Sequence, residues 1–430
     1  MKTVGLLPGG WDCRERNRLE WRISDGGDPA ELIEAALEAA GLPSRSLCDP
    51  HHSDASNDAM PDEVTRGRNT PFQKVGLAPR SEEPGTARTV GASLFISAAA
   101  GAAMIGAPVG PPSPAPEIPD VVVVFHEAAP APAGPRAPAG WSLGPWVSSW
   151  RPGEHRAAVE AAREAIARGD VYQVNIVGHA SSPYLGDPDA ALAAVAALPG
   201  ATWGGRIRGE GWALATGSPE CLVSVTDGRV VTRPIKGTAP RTRAGHAALL
   251  ASPKERAEHV MIVDLARNDL GRIATTGSVR VDELFAVRPW CELWQAESTV
   301  SATLRPDVGV AELLRAVCPG ASVTGAPKRA ALDVLTALEP VGRGPAMGAL
   351  GYVSARGIEL GLTIRTVAAV GDDRTGTLHL WAGGGITWSS VADDEVAEAV
   401  AKAAPLDAAL RGTAASTTGN PPTVVVAQRK

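Results

Sequence analysis

The chain has 430 residues, 44% of them hydrophobic, which is enough to bury the core of one large domain or of two ordinary ones. Charges of both signs are interleaved and the formal net charge is -6, which excludes a broad basic surface for nucleic acid or anionic lipid and leaves small molecules or proteins as partners. Five scattered cysteines, no signal-like N-terminus and no run of about 20 apolar residues favour a globular protein of the reducing cytoplasm, not of the membrane.

Residues 1–145 are predicted to form a reduced, loop-rich N-terminal region. Pro, Gly, Ser and Asp accumulate in residues 44–70 and 110–140, a composition typical of loops. A short strand pattern at 121–125 indicates a β-rich region rather than an independent catalytic domain. We expect no active-site residues in this part of the chain.

Regular patterns begin after residue 145, and they predict one ordered domain over 146–412 with a flexible tail at 413–430. An apolar strand is predicted at 171–177, and hairpin turns are predicted at Asp227-Gly228 and at 371–373. Helical spacing covers residues 154–168, 253–269, 308–317, 328–338 and 391–410. Hairpins and helices alternate without a repeated strand-helix-strand rhythm or a Gly-rich phosphate loop, which predicts an α+β fold instead of a doubly wound nucleotide-binding sheet.

Two of these helices each carry two glutamates three residues apart, Glu255 with Glu258 and Glu395 with Glu398. This spacing places each pair on one helical face, and four carboxylates facing one another would form a hard-oxygen site suited to Mg²⁺. Lys402 falls on the same face as Glu398 and could meet an anionic group of a substrate. Spacing alone favours the ordinary alternative, which is a solvated helix face.

An acid and an amine flank the first predicted hairpin. Glu220 opens it and Lys236 follows its second strand, so both could face one cleft as a general acid and as a nucleophile or electrostatic anchor. The alternative for Lys236 is an exposed lysine in a turn, which local sequence favours.

Glycine clusters at 319–328 and 382–386 could bring backbone N–H groups close to a carboxylate, although each cluster alone more often marks a tight turn. Arg365 lies in an apolar strand pattern, where an unpaired guanidinium would be costly. A bound carboxylate or a structural salt bridge would explain it equally well.

Taken together, residues 150–410 resemble the chorismate-utilising enzymes, the family of anthranilate, aminodeoxychorismate, isochorismate and salicylate synthases. The longest match is 256–272, RAEHVMIVDLARNDLGR, which resembles the metal-helix signature of that family. The resemblance implies an anthranilate synthase-like, chorismate-binding fold of two packed antiparallel sheets with helices outside. Residues 146–412 would then be the chorismate-binding catalytic domain.

The resemblance also implies roles for the residues that match. Glu258 and Glu398 would bind Mg²⁺ directly, with Glu255 and Glu395 binding directly or through water, and the metal would hold the ring carboxylate of chorismate. Glu220 would be the general acid for loss of the C4 hydroxyl. The positions that resemble substrate-holding residues are Thr238, Ser322, Arg365, Gly383, Gly385 and Lys402.

The residue types at two positions distinguish the subfamilies of this family by the reaction they catalyse. Enzymes that add water resemble one another in a lysine base where this chain has Gln173, an amide that cannot act as a base. Anthranilate synthases commonly carry a small residue where this chain has Lys236, which favours the aminodeoxychorismate synthases. The resemblance then implies attack of Lys236 on C2 of chorismate, protonation of the C4 hydroxyl by Glu220, and displacement of the lysine by ammonia attacking C4.

No cysteine has the context of a glutaminase nucleophile, so the resemblance implies ammonia from a separate glutamine amidotransferase subunit, in the service of 4-aminobenzoate and folate synthesis. The alternatives are an anthranilate synthase component I and, from another class, a catalytically silent subunit that binds chorismate or a partner. Two positions depart from the family pattern, Gln295 in place of a histidine and Ala346 in place of a tyrosine.

Overall fold

The computed structural model describes residues 13–48, 89–128 and 140–412, and every structural statement below refers to those ranges. The predicted tail at 413–430 and most of the predicted loop at 44–70 lie outside the described residues. The helices are α1 Pro29–Ala39, α2 Ala98–Met104, α3 Glu154–Arg168, α4 Asp189–Ala196, α5 Arg243–Ala251, α6 Pro253–Gly271, α7 Val310–Val317, α8 Ala321–Thr324, α9 Lys328–Leu338 and α10 Ala392–Gly412, with a 3₁₀ turn at Ile23–Asp25.

The strands are interspersed with these helices along the chain. They are β1 Cys13–Trp21, β2 Thr89–Ile96, β3 Val121–Ala128, β4 Ser142–Leu143, β5 Val147–Ser148, β6 Gln173–Leu185, β7 Gly205–Gly209, β8 Trp212–Thr216, β9 Cys221–Thr226, β10 Arg229–Arg233, β11 Ile235–Pro240, β12 Arg280–Trp290, β13 Leu293–Thr303, β14 Gly325–Ala326, β15 Ala349–Ser354, β16 Gly357–Leu362, β17 Thr366–Gly371 and β18 Thr375–Ile386.

Two antiparallel sheets organise these strands. The first has the order β1-β3-β2-β15-β16-β9-β10-β13-β11, with β12 also paired to β13. The second has the order β14-β6-β18-β17-β8-β7, with β4 and β5 paired to β6. One hydrophobic cluster contains buried side chains of both sheets, including Val223 and Leu360 from the first and Ile207, Leu214 and Ala368 from the second. The sheets therefore pack on each other, and the predicted α+β fold of two packed antiparallel sheets with helices is confirmed.

The N-terminal strands belong to the first sheet. β2 pairs with β15 on one side and with β3 on the other, and β3 pairs with β1. The strand pattern at 121–125 corresponds to part of β3, which is almost entirely buried. The part of residues 1–145 that the structure describes thus extends the sheet of the later domain.

Local sequence signals explain the elements that carry the site. The Ser252 side chain accepts a hydrogen bond from the backbone of Glu255, and Pro253 occupies the first turn, so α6 begins where the sequence predicts. Asp227 and Gly228 both adopt positive φ, 50° and 71°, the geometry of a tight hairpin turn between β9 and β10.

No helix in the described ranges is both long and apolar enough to cross a bilayer.

Candidate active site

Every residue that the sequence singled out for the site lines a single pocket. The wall is built from β11 and the residue before β9 in the first sheet, from β18 and the residue before β17 in the second, and from α6, α8 and α10. The predicted residues in this wall are Glu220, Lys236, Thr238, Glu255, Glu258, Ser322, Arg365, Gly383, Gly385, Glu395, Glu398 and Lys402. The fold thus brings together residues that lie as far apart in sequence as Glu220 and Lys402.

Lys236 lies on β11, where a register shift interrupts the pairing with β13. Its amine comes so close to β18 that a Cβ at Gly385 would overlap Nζ, and the amide nitrogen of Gln173 lies 2.7 Å from the same Cβ position. Burial lowers the pKa of Lys236, an effect that Glu258 opposes and Lys402 reinforces. The pocket therefore makes the neutral, nucleophilic form of this amine easier to reach than it is in water.

Glu220 is buried at the end of the loop that leads into β9. The hydroxyl of Ser322 donates a hydrogen bond of 2.5 Å to its Oε1 atom. Burial raises the pKa of Glu220 to about 7, although hydrogen bonds from Ser322 and from the backbone of Ile235 oppose the shift, as does the charge of Lys236. A carboxyl group with such a pKa can hold and release a proton near neutral pH.

Arg365 lies just before β17 with its side chain only 7% exposed. Its Nη1 atom is buried without a hydrogen-bond partner, and no ion pair joins the guanidinium to any carboxylate among the described residues. The structure thus excludes, for these ranges, the structural salt bridge that the sequence left open. A carboxylate ligand remains the natural partner for this group.

The glutamates on α6 and α10 are held by cations and hydroxyls. Lys402 Nζ lies 2.7 Å from Glu398 Oε1, which also accepts a hydrogen bond of 3.1 Å from Thr238. Burial alone would raise the pKa of Glu398, but Lys402 and Thr238 outweigh it and lower the value to about 2. Glu258 accepts a hydrogen bond from Thr387, with a distance of 3.0 Å.

The chemistry of this carboxylate set fits a divalent cation. Burial raises the pKa of Glu255 and of Glu395, and a neighbouring carboxylate, Glu258 and Glu398 respectively, adds to each shift. A cation among the four oxygen-bearing side chains would relieve this repulsion. Within the described ranges, however, no three His, Cys, Asp or Glu side chains are spaced to share one ion, so the magnesium site stays a prediction.

The glycines at 383–385 give the pocket room for its charged side chains. A Cβ at Gly384 would lie 3.2 Å from Glu395 Oε2 and 3.5 Å from Lys402 Nζ. Lys402 also donates a hydrogen bond of 3.0 Å to the carbonyl of Gly383. Side-chain-free backbone thus leaves space for the amines and carboxylates where β18 passes them.

Several pocket residues were missed or left without a role. Lys254 lies 3.8 Å from Glu258 Oε1, and Asn175 and Gln295 place buried, unpaired amide oxygens at the pocket wall. Strand alternation puts Asn175 on the same face as Gln173, a signal that could have identified it. Ala346 is fully buried in the core, whereas its neighbour Met347 lines the pocket.

The fold and the pocket together define a protein with an enzyme-like site for a small carboxylic acid, built from carboxylates, a half-buried lysine and a buried arginine without an ion pair among the described residues. The family model described as "chorismate binding enzyme" matches residues 117–408. The chain belongs to this family, and the predicted family is confirmed.

Curated relatives carry two kinds of name. The chain is 42% identical over 236 residues to aminodeoxychorismate synthase component 1 of Klebsiella aerogenes, covering 53% of this chain and 51% of that protein. It is 37% identical over 260 residues to the protein of the same name from Escherichia coli K12, covering 59% and 56%. Anthranilate synthase component 1 of Aquifex aeolicus is 37% identical over 265 residues, covering 60% and 53%. The chain thus matches about half the length of these relatives.

Solved structures agree on the fold. Anthranilate synthase component I of Streptococcus pneumoniae TIGR4 superposes with a TM-score of 0.69 at 22% identity, covering 94% of each chain. The menaquinone-specific isochorismate synthase of Escherichia coli superposes with a TM-score of 0.59 at 18% identity, covering 70% of this chain and 78% of the other. At such identities the likeness concerns the fold alone.

Proposed function

We propose that this protein acts as an aminodeoxychorismate synthase component I, which converts chorismate and ammonia to 4-amino-4-deoxychorismate. The observation that carries the proposal is the half-buried Lys236, whose amine shares one pocket with the acid Glu220. Relatives named aminodeoxychorismate synthase component 1 support it. The product would serve 4-aminobenzoate and folate synthesis in the cytoplasm.

The proposed reaction begins at the Lys236 amine. Neutral Nζ attacks C2 of chorismate, the two ring double bonds shift toward C4, and the C4 hydroxyl leaves as water with the proton of Glu220. Ammonia then attacks C4, the double bonds return, and the lysine nitrogen leaves C2. Amine and carboxyl group regain their starting forms by proton transfer, so chorismate and ammonia give aminodeoxychorismate and water.

Other pocket residues orient the substrate in this proposal. Arg365 would pair with one carboxylate of chorismate, and Ser322 would keep Glu220 aimed at the hydroxyl through its short hydrogen bond. Mg²⁺, if held by Glu258 and Glu398, would neutralise the ring carboxylate. The chain's own residues would thus fix the ring between the amine and the acid.

Gln173 supports ammonia over water as the final nucleophile. Its side chain is fully buried beside the Lys236 amine, and neither of its amide atoms has a hydrogen-bond partner in the part of the chain that the structure describes. An amide cannot remove a proton from water, whereas ammonia attacks without such help. An isochorismate or salicylate product is therefore disfavoured.

The second candidate is an anthranilate synthase component I, which the relative from Aquifex aeolicus supports by its name. That reaction would add ammonia at C2 and then eliminate pyruvate, leaving no role for a covalent lysine. The position of Lys236 in the pocket favours the first candidate.

Product analysis tests the proposal. Purified protein is incubated with chorismate, Mg²⁺ and an ammonium salt, and the products are separated by mass-resolved chromatography. We expect an aminated product that retains its pyruvyl group and that an aminodeoxychorismate lyase converts to 4-aminobenzoate. Lys236→Ala should abolish this product while chorismate still binds. Fluorescent anthranilate, or amination at the wild-type rate by Lys236→Ala, would overturn the proposal.

A further inference from the structure

Arg365 is held by the face of an aromatic ring. Its guanidinium carbon lies 3.9 Å from the centroid of the Trp290 ring, and Trp290 is fully buried at the end of β12. A guanidinium that stacks by its flat face keeps its N–H donors free, because all of them point outward in the plane of the group. The stack therefore fixes the cation without using the donors that bind a carboxylate.

The backbone of Gly217 forms hydrogen bonds with both Trp290 and Arg365. The Trp290 indole nitrogen donates a hydrogen bond of 2.9 Å to the carbonyl of Gly217, which lies in the same loop as Glu220. The backbone nitrogen of Gly217 in turn donates a hydrogen bond of 2.9 Å to the carbonyl of Arg365. Gly217 thus anchors both the indole ring of Trp290 and the backbone of Arg365.

The backbone of Arg365 adopts a conformation that favours this arrangement. Its φ angle is 54°, a region that a residue with a side chain adopts only when the surroundings fix it. The hydrogen bond from Gly217 holds the carbonyl of Arg365, and the Thr216 hydroxyl holds the carbonyl of Ile364 at 2.7 Å. Such a conformation is typical of functional positions.

We infer that Trp290 is a positioning residue that holds Arg365, by cation–π stacking, ready to bind a carboxylate of the substrate. An ordinary buried arginine would be held by an acidic side chain, which would compete with the ligand for the same donors. Trp290 supplies attraction without a negative charge. The inference rests on the proposed function only in taking the ligand to be chorismate.

A thermodynamic cycle tests the inference through chorismate binding, measured by calorimetry with Mg²⁺ present. Trp290→Leu should raise the dissociation constant by roughly 10-fold, the scale of a desolvated cation–π contact. Trp290→Phe, which keeps an aromatic face but loses the hydrogen bond to Gly217, should recover most of the affinity. In an Arg365→Ala background, Trp290→Leu should cost no further affinity, because its effect acts through the guanidinium.

Trp141 provides the matched control. It is also a buried tryptophan whose indole nitrogen donates a hydrogen bond of 2.8 Å to a backbone carbonyl, that of Leu410, but no guanidinium of the described residues stacks on it. Trp141→Leu should lose a similar amount of thermal stability while chorismate binds as before. Equal, additive losses of affinity from Trp290→Leu with and without Arg365 would overturn the inference. An anthranilate product would overturn the proposed function but leave this binding cycle unaffected.

Discussion

The proton on Glu220 links the proposed chemistry to pH at the scale of one residue. Burial raises its pKa to about 7, so the carboxyl group is protonated below that pH and ionised above it. A general acid must carry its proton, and the rate at constant free ammonia should therefore fall as pH rises through about 7.

Two variants test whether Glu220 causes this fall in rate, the descending limb of the pH profile. Glu220→Gln should reduce kcat by about 10²- to 10⁴-fold and remove the descending limb, since an amide donates no proton. Ser322→Ala removes a hydrogen bond that lowers the pKa of Glu220, so the limb should move to higher pH. The measurement is kcat/KM across the pH range in each variant. A descending limb that persists unchanged in Glu220→Gln would remove Glu220 from this role.

At the scale of elements, two glycines of β18, Gly383 and Gly385, contact different parts of the molecule and should differ in what their replacement affects. A Cβ at Gly385 would overlap only the ends of side chains, those of Lys236, Gln173 and Asn175, whereas a Cβ at Gly383 would overlap the backbone carbonyl of Ile176 on β6. A flexible side chain can move aside, but a paired strand cannot do so cheaply.

The two alanine variants should therefore separate activity from stability. Gly385→Ala should keep its melting temperature within a few degrees and lose most amination, because the amine is displaced. Gly383→Ala should unfold at a clearly lower temperature, as expected for a steric clash that costs about 1–3 kcal/mol. Calorimetric melting and the ammonia-dependent assay give the two readouts. Full activity of Gly385→Ala would contradict the placement of Lys236.

The glutamates on α6 and α10 are predicted to bind Mg²⁺. If their carboxylates bind the ion, Glu258→Gln should raise the Mg²⁺ concentration needed for half-maximal activity by at least about 10-fold. Metal binding measured by calorimetry, without substrate, should weaken in parallel. Glu164→Gln, on an exposed face of α3, is the matched control and should change neither value. An unaltered metal requirement in Glu258→Gln would exclude this carboxylate as a ligand.

The elements themselves could be predicted where local chemistry is strong. The predicted bounds of α3 and α9 coincide with the structure, because a terminal glycine or a flanking proline marks each end. β6 runs eight residues beyond the predicted strand, since its polar half is stabilised by pairing with β18 rather than by its own pattern. Pairing partners distant in sequence leave no local signal.

At the scale of the whole molecule, the pocket exists only because both sheets meet around it. The glutamate spacing on α6 and α10 predicted two faces, but only the resemblance predicted that these faces share one pocket with Lys236. The stack joins Trp290, the last residue of β12 in the first sheet, to Arg365, the residue just before β17 of the second sheet, and no sequence motif in either segment predicts it. Sequence reasoning thus reached the residues with a known chemical pattern and missed the one that acts through another.

The pKa values of four cysteines, Cys48, Cys221, Cys291 and Cys318, indicate whether this chain could release ammonia from glutamine itself. A glutaminase needs a thiolate, yet burial raises the pKa of Cys291 to about 11 and that of Cys318 to about 12. Burial also raises the pKa of Cys221 well above its usual value and, with a contribution from Asp307, that of Cys48. None of these four thiols is a suitable nucleophile at neutral pH.

The chain should therefore aminate chorismate with ammonium salts and not with glutamine. Adding a separate glutamine amidotransferase of the kind that serves this family should restore glutamine-dependent product formation, with the rate saturating as that subunit is added. The measurement compares product formed from glutamine, from ammonium and from glutamine with the added subunit, and Lys236→Ala serves as the blank in each case. Glutamine-dependent amination by the purified chain alone would show that it carries its own glutaminase chemistry. The nucleophile would then have to be sought outside Cys48, Cys221, Cys291 and Cys318, whose thiolate forms are disfavoured.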